Sequence, residues 1–260
     1  AVYFTPPLDS EWWYAGNQWL GRCLETNTDL APLRIPNVEP DVFLKHTAEP
    51  RRYGWHATLK APFVLDAKYT LADFTLAMQR IANELPAFTL PALRVTDEDG
   101  FISLRPSGNL STLNAVAAAC VTRLHTFAAP LSQDDLMRRR KVSLTPQQDR
   151  LLVEWGYPWV LDQFRFHFSL TGPTSDMDAL THDCLFQASI NLVRLHPAPF
   201  IIYHFSSNPP RAQTFASSSK WSCEDDAQID LRNWPVWSWQ GHAVEPSSQP
   251  AVHLFKHPLG

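Results

Sequence analysis

Two histidines stand in the same short pattern, His-x-(Thr or Ser)-Leu, and this combination of residue types suits phosphoester chemistry. His56 begins the first copy and His167 the second. An imidazole titrates nearer to neutral pH than any other side chain, so one member of a pair can act as base and the other as acid. The hydroxyls of Thr58 and Ser169 can donate hydrogen bonds to phosphate oxygens. The pattern therefore predicts metal-independent phosphoester chemistry, with no cofactor, at His56, Thr58, His167 and Ser169.

The first pattern lies in a stretch, residues 53–61, that we expect to be a β-strand ended by Pro62. Side chains two positions apart leave the same face of a strand. His56 and Thr58 should therefore point together, joined by Lys60. The lysine would offset negative charge that develops on a phosphate.

The second pattern lies in a predicted strand over residues 163–171, where the alternation is clearer. His167 and Ser169 share a face with Arg165 and Thr171. The opposite face is wholly apolar and should be buried; it consists of Phe164, Phe166, Phe168 and Leu170. Each strand would thus anchor an apolar face and present an imidazole, a hydroxyl and a cation to a cleft.

A single copy of the pattern is weak evidence for function, because so short a pattern arises readily by chance. The sequence holds ten histidines, and either match alone would more often be a structural histidine than a functional one. The near match at His204 is treated as chance. Two complete copies, each on a predicted strand and beside a same-face cation, favour the functional interpretation.

Composition limits the class of protein. With 22 basic and 26 acidic side chains, and a net charge of -4, a duplex-DNA binder is not expected. No apolar run is long enough for a membrane span. The four cysteines form no C-x-x-C pair, so neither a zinc site nor a disulfide framework is indicated. The start lacks the layout of a secretion signal. Reduced thiols and a cytoplasmic protein are the expectation.

The elements that must position the histidines follow an α+β order, strand, helix and strands, twice over. We therefore predict two similar lobes, each contributing one histidine-bearing strand, within a domain at 1–223 followed by a tail of unknown role at 224–260. Helices are expected over 9–22, 70–85, 111–127, 146–155 and 176–190. Strands are expected over 1–4 and over 88–105 around a turn at 97–100, and a hairpin over 191–205 and 211–223. A loop is expected over 30–50 and a charged linker over 128–142.

The paired motifs resemble those of the two-histidine (2H) phosphoesterase superfamily. More closely, the chain resembles an uncharacterised bacterial family associated with phosphonate-utilisation genes. The resemblance runs from residue 1 to about 175, and its motifs are at 19–22, 51–63, 129–131, 138–140, 155–158 and 164–172.

This resemblance implies a bilobal fold with pseudo-twofold symmetry, antiparallel sheets and a central cleft that holds both histidines. It also implies cyclic phosphodiester substrates, and the phosphonate link suggests a ribose cyclic phosphate. We therefore expect a cyclic phosphodiesterase that acts on a small phosphorylated substrate. The alternatives are a non-catalytic RNA or nucleotide binder and an RNA-end processing enzyme or ligase, with RNA a less favoured partner.

Further side chains are predicted to bind the substrate. Arg52 and Tyr53 precede the first motif and can line the cleft, although Tyr53 can equally be core. Arg139 lies in a basic run that can grip a phosphate or form a solvated face, and the resemblance favours the former. Tyr157 can stack on a base or sugar, or serve a structural turn. The predicted substrate-binding set is Arg52, Tyr53, Lys60, Arg139, Tyr157 and Arg165.

Overall fold

Helices and short strands alternate along the residues that the computed structural model describes, which are 1–8, 10–23, 25–196 and the backbone of 201–202. The helices are α1 Glu11–Leu20, α2 Pro40–Tyr53, α3 Leu71–Glu84, α4 Ser111–Leu124, α5 Gln133–Arg139, α6 Pro146–Trp155 and α7 Ala179–Leu195. The strands are β1 Val2–Phe4, β2 Arg22–Cys23, β3 Thr28–Asp29, β4 Ala57–Lys60, β5 Phe88–Thr89, β6 Leu93–Thr96, β7 Phe101–Pro106, β8 Phe168–Pro173 and β9 Ile201–Ile202. The α+β class is confirmed, while the two pseudo-symmetric lobes and the domain limits stay predictions.

Helix α2 is the largest departure from the sequence prediction, because a loop was expected over residues 30–50. The prolines that suggested a loop are compatible with this helix. Pro40 stands in the first turn, where no amide hydrogen is needed, and Pro50 is buried in the last turn. The helix continues through Tyr53, so the predicted strand over 53–61 is shortened to β4.

The second predicted strand and the charged linker also change. Strand β8 begins one residue after His167, later than the predicted start at 163, because a 3-10 turn occupies Leu161–Gln163. The linker over 128–142 contains α5, whose N-terminus is capped by Ser132 accepting the amide hydrogen of Asp135. The two histidines therefore lie immediately before their strands.

The predicted helices are confirmed: α6 has the expected ends, and α1, α3, α4 and α7 have shifted ends. The segment that was expected to start a hairpin at 191 instead continues α7 to Leu195. The remainder of that hairpin, with the exception of β9, and the tail at 224–260 lie outside the described residues.

The described strands form small antiparallel sheets. Strand β1 pairs with β4, β2 with β3, β5 with β9, and β7 lies between β6 and β8. In the three-stranded sheet Ser103 is opposite Ser169, and Leu104 is opposite Phe168. Helix α2 packs on β8, α4 on β4 and α7 on β6. The sheets that carry the two histidine segments are therefore each backed by a helix.

The main core joins these two sheets. Trp19 in α1 donates its indole hydrogen to the carbonyl oxygen of Leu170 in β8, at 2.8 Å. Phe4 in β1 contacts both Phe166 and Phe168, with ring centroids 5.7 and 6.0 Å apart. A second core lies beside β4 and is formed by Val2, Phe74, Met78, Ile81, Cys120 and Leu124.

Two smaller findings bear on the class of protein. Among the residues described, no helix combines the length and apolar character needed to cross a bilayer. Cys120 and Cys184 are free thiols, Cys23 is buried, and Cys223 lies outside the described residues.

Candidate functional site

The end of α2 places His56. Gly54 follows the helix with φ of 71°, in the left-handed region that a glycine adopts without steric cost. The chain turns there, so that Trp55 enters the core with no exposed surface while His56 stays partly accessible. The indole of Trp55 lies directly over Gly16 of α1, where a Cβ atom would be only 2.1 Å from the ring. Two glycines therefore allow the position of this histidine.

The ring of His56 is held by a backbone hydrogen bond and by aromatic contacts. Its Nδ1 lies 2.8 Å from the carbonyl oxygen of Gly54. The ring of Tyr3 lies 4.0 Å from it between centroids, and Tyr53 meets it edge-on at 6.4 Å. Burial lowers the pKa of His56 to about 4, since the bond to Gly54 that raises it is outweighed and the charge of His167 lowers it further.

His167 is held in the same manner on the other sheet. Its Nδ1 lies 2.8 Å from the carbonyl oxygen of Arg165, and Phe101 of β7 meets the ring edge-on at 5.2 Å. Burial lowers the pKa of His167. The carbonyl of Arg165 raises it, Arg105 lowers it, and Asp99 raises it.

These bonds define the tautomer of both imidazoles. A carbonyl oxygen can only accept, so each neutral ring carries its proton on Nδ1 and has a lone pair on Nε2. Trp55, next to His56, stacks on Phe168, next to His167, with ring centroids 4.7 Å apart, and the charge of His167 lowers the pKa of His56. The structure therefore brings the two sequence-predicted histidines together as a pair of neutral hydrogen-bond acceptors.

The two predicted hydroxyl residues accompany the histidines. Thr58 is the cross-strand partner of Tyr3, the residue that stacks on His56. Ser169 is the cross-strand partner of Ser103 in β7. Thr58 and Ser169 are both partly buried, and each follows its histidine by two residues in sequence.

Arg105 is a residue of this region that the sequence analysis missed. It stands in β7 one step beyond Leu104, whose partner is Phe168, and is therefore next to the position of His167. Its side chain is only 8% exposed and forms ion pairs with Glu98 and Asp99. Its Nε is buried with no hydrogen-bond partner among the described residues. Five of the six residues of β7 are buried, and the one available signal was an arginine that directly follows Ile102, Ser103 and Leu104 in that strand.

The predicted cations nearest the histidines are exposed. The guanidinium of Arg52 lies over the ring of Tyr53 at 5.7 Å, and Tyr53 in turn contacts His56. Arg165 is exposed, and its carbonyl holds His167. The structure thus brings Arg52, Tyr53 and Arg165 to the edge of the pair.

Lys60 does not join them, and the expected shared face with Thr58 is wrong. Val2 pairs with Lys60 and Tyr3 pairs with Thr58, so one step in β1 matches two steps in β4. Neighbouring residues of β1 point to opposite faces, and their cross-strand partners do the same. This β-bulge sends Lys60 towards α4, where its Nζ lies 3.4 Å from the carbonyl oxygen of Val121.

Arg139 and Tyr157 lie with Lys60, away from the histidines. Lys60 and Tyr157 line a separate cavity, and none of His56, Thr58, His167 and Ser169 does. Arg139 stacks on Tyr157 at 5.6 Å and donates to the carbonyl oxygen of Pro62 at 3.2 Å. The predicted binding residues are therefore divided between two places.

Comparison with known proteins identifies the relatives of the chain. The family model described as "Protein of unknown function (DUF1045)" matches residues 58–201, more than half of the chain. The match begins two residues after His56 and includes His167. No solved structure is significantly similar to the chain.

Two curated relatives carry the name "Ribose 1,5-bisphosphate phosphokinase PhnN". The protein of Janthinobacterium sp. (strain Marseille) is 36% identical over 182 residues, which are 70% of this chain and 39% of the relative. That of Laribacter hongkongensis (strain HLHK9) is 33% identical over 178 residues, 68% of this chain and 41% of the relative. The chain thus spans about two fifths of their length. Their PhnN name supports the phosphonate-associated family, while the 2H superfamily stays a prediction.

These names overturn the predicted activity. A phosphokinase transfers a phosphoryl group and does not hydrolyse a phosphodiester, so the prediction of a cyclic phosphodiesterase is wrong. The names also give no support to the RNA-directed alternatives.

Proposed function

The chain belongs to the DUF1045 family, and we propose that it binds a phosphorylated ribose between His56 and His167. The name of the two relatives supports a ribose bisphosphate as the class of ligand. The chain spans only about two fifths of the length of those proteins. That this chain shares their ligand is therefore part of the proposal.

The matched hydrogen bonds of the two imidazoles carry the proposal. Each Nδ1 donates to a backbone carbonyl at 2.8 Å, so each neutral ring offers Nε2 as an acceptor. The hydroxyls of a ribose are donors and would satisfy these two acceptors. A neutral imidazole is well suited to a hydroxyl, whereas a ring must be protonated before its Nε2 can donate to a phosphate oxygen.

The phosphate groups would be bound by the side chains around the pair. Thr58 and Ser169 supply hydroxyl donors, and Arg52 and Arg165 supply exposed cations at the same edge. Arg105 has a buried Nε without a partner among the described residues. Arginine binds phosphate through several donors at once, so these residues would favour a phosphorylated sugar over a plain one.

The chain's own sequence favours a binding role over phosphoryl transfer. A nucleotide-binding loop of the Gly-x-x-x-x-Gly-Lys-(Ser/Thr) kind cradles phosphates with its backbone. The sequence has a Gly-x-x-x-x-Gly run at residues 16–21, but Arg22 and Cys23 follow it and the run lies on α1 and its cap. We therefore assign to this chain the binding of the sugar phosphate.

Calorimetric titration tests the proposal. Wild-type protein is titrated at pH 7 with ribose 1,5-bisphosphate, ribose 5-phosphate, ribose and inorganic phosphate. The phosphorylated riboses should bind, and ribose should bind at least tenfold more weakly. Replacing His56 or His167 by Ala should weaken binding by about tenfold each, since each change removes one buried hydrogen bond.

His182→Ala is the matched control. This histidine lies in α7 and pairs with Asp97 at 3.1 Å, and its replacement should leave affinity unchanged. The proposal fails if neither phosphorylated ribose binds, or if both bind equally well after loss of either His56 or His167.

A further inference from the structure

A cavity of about 530 Å³ opens between the segment after β4, the end of α4, and helices α5 and α6. Its volume is within the range of sites for small organic ligands. None of His56, Thr58, His167 and Ser169 lines it. It is therefore separate from the histidine pair, and the residues that line it determine which ligand it can bind.

Lys60 is the buried cation of this cavity. The residue is 4% exposed, its Nζ lies 3.4 Å from the carbonyl oxygen of Val121, and it stands 5.2 Å from the centre of the Phe63 ring. No carboxylate among the described residues comes within ion-pair distance of it. A buried ammonium without a counter-charge is costly, and burial lowers the pKa of Lys60 to about 8. An anionic ligand would remove that cost.

The acidic residues of the walls are already paired. Asp66 forms an ion pair with Lys68 at 3.0 Å. Asp135 accepts from Ser132 and pairs with Arg138. Neither carboxylate is therefore available to Lys60, whose ammonium stays without a counter-charge among the described residues.

His125 is a second polar group of the cavity walls, and one of its ring nitrogens lacks a hydrogen-bond partner among the described residues. Its Nδ1 is buried with no hydrogen-bond partner among the described residues. Its ring meets Trp155 edge-on, with centroids 5.3 Å apart. A ligand held by Lys60 would have a further donor or acceptor here.

The remaining walls are apolar and aromatic. Phe63 lines the cavity from the segment after β4, and Trp155 and Tyr157 line it from the end of α6. Arg139 covers one face of Tyr157 at 5.6 Å and fixes that ring. Aromatic walls bind flat ring systems by stacking and by burial of apolar area.

We propose that this cavity is a second ligand site, which takes a flat aromatic ring system carrying a single anionic group. The anionic group pairs with Lys60, and the ring lies against Trp155 and Tyr157. The site is independent of the phosphorylated ribose proposed above. A carboxylate and a phosphate ester would both supply the anion.

Three probes with one ring system separate these contributions. Wild-type protein is titrated by calorimetry with 1-naphthoate, 1-naphthyl phosphate and neutral 1-naphthalenemethanol. At least one of the two anions should bind, and the neutral alcohol should bind at least tenfold more weakly than that anion. The better anion identifies the headgroup class. Excess ribose 5-phosphate should leave the affinity unchanged.

Lys60→Met should reduce the affinity for the better anion by at least tenfold. Lys45→Met is the matched control, because that lysine is exposed on α2 and does not line the cavity; it should have no effect. If the Lys60 variant is poorly folded, a measurement on the wild-type protein still tests the role of Lys60. Acetylation at pH 8, followed by peptide mass spectrometry, should show that the probe protects Lys60 and not Lys45.

The proposal is overturned if neither anion binds, if the alcohol binds as tightly as the anions, if ribose 5-phosphate displaces the probe, or if acetylation of Lys60 proceeds unchanged in its presence.

Discussion

Trp55 and Phe168 stack on each other in the core, with ring centroids 4.7 Å apart and an angle of 18° between the rings. The first precedes His56 and the second follows His167. Neither aromatic ring has exposed surface. The two histidines are therefore positioned relative to each other by a contact on the buried side of the backbone.

This stack makes the histidine pair sensitive to a distant glycine. In Gly16→Ala the new Cβ would lie 2.1 Å from the Trp55 ring, so the ring must move. We expect a loss of about 1–3 kcal/mol in the free energy of unfolding and weaker binding of ribose 5-phosphate, measured by urea denaturation and calorimetry. Gly172→Ala is the control, since its Cβ would meet the flexible Glu49 at 3.2 Å; an equal effect of both changes would contradict the expectation.

The stability of the protein should fall between pH 6.5 and pH 4. The unfolded state binds a proton at His56 near pH 6.5, whereas the folded state does so near pH 4. Stability from this group is thus fully present above pH 6.5 and is lost as the pH falls through 4, with a range of about 3 kcal/mol.

Urea denaturation at several pH values measures this slope. In His56→Asn the amide can replace the Nδ1 donor without titrating, so the slope should become shallower. An unchanged slope in the variant would show that other groups cause the acid sensitivity.

Arg105 and Asp99 should move the pKa of His167 in opposite directions. Arg105 lowers that pKa and Asp99 raises it. Arg105→Met should therefore raise it, and Asp99→Asn should lower it. Proton NMR titration of the His167 ring measures both shifts, with His182 as an internal reference in the same spectra. Shifts of the same sign in the two variants would contradict the assignment.

Two buried hydroxyls on the paired strands β7 and β8 should respond differently to removal. Ser103 is fully buried, and its Oγ has no hydrogen-bond partner among the described residues. Thr171 accepts the amide hydrogen of Ile102 at 3.0 Å and donates to the carbonyl oxygen of Gly172 at 2.8 Å. Ser103→Ala should be neutral or stabilising, and Thr171→Val should cost about 1–3 kcal/mol in the free energy of unfolding.

Chemical denaturation of both variants and the wild type decides this. A larger loss for Ser103→Ala than for Thr171→Val would mean that the serine hydroxyl has a partner.

The sequence predicted the amphipathic helices and the apolar side of the second histidine segment well. Phe166, Phe168 and Leu170 are buried as the alternation predicted, because period-two patterning directly reports a face. Helix α2 was missed since its prolines are tolerated at its two ends, and its stability depends on packing against β8. Such tertiary support leaves little signal in a local window of sequence.

The candidate site could be predicted only in part for a similar reason. His56 and His167 were found from a repeated pattern. Tyr3 and Arg105 belong to strands far from either motif in sequence, and they reach the histidines only through strand pairing. The bulge that separates Thr58 from Lys60 depends on how β1 aligns with β4, which no pattern within β4 alone reveals.

That bulge makes a four-residue strand the partition between two compartments. Thr58 belongs to the side of the histidines, and Lys60 belongs to the side of the aromatic cavity. In a regular strand the two side chains would share a face, so both would belong to one compartment. The alignment of β4 with β1, and not only the residue types of β4, therefore constrains how the two sites can diverge from one member of the family to the next.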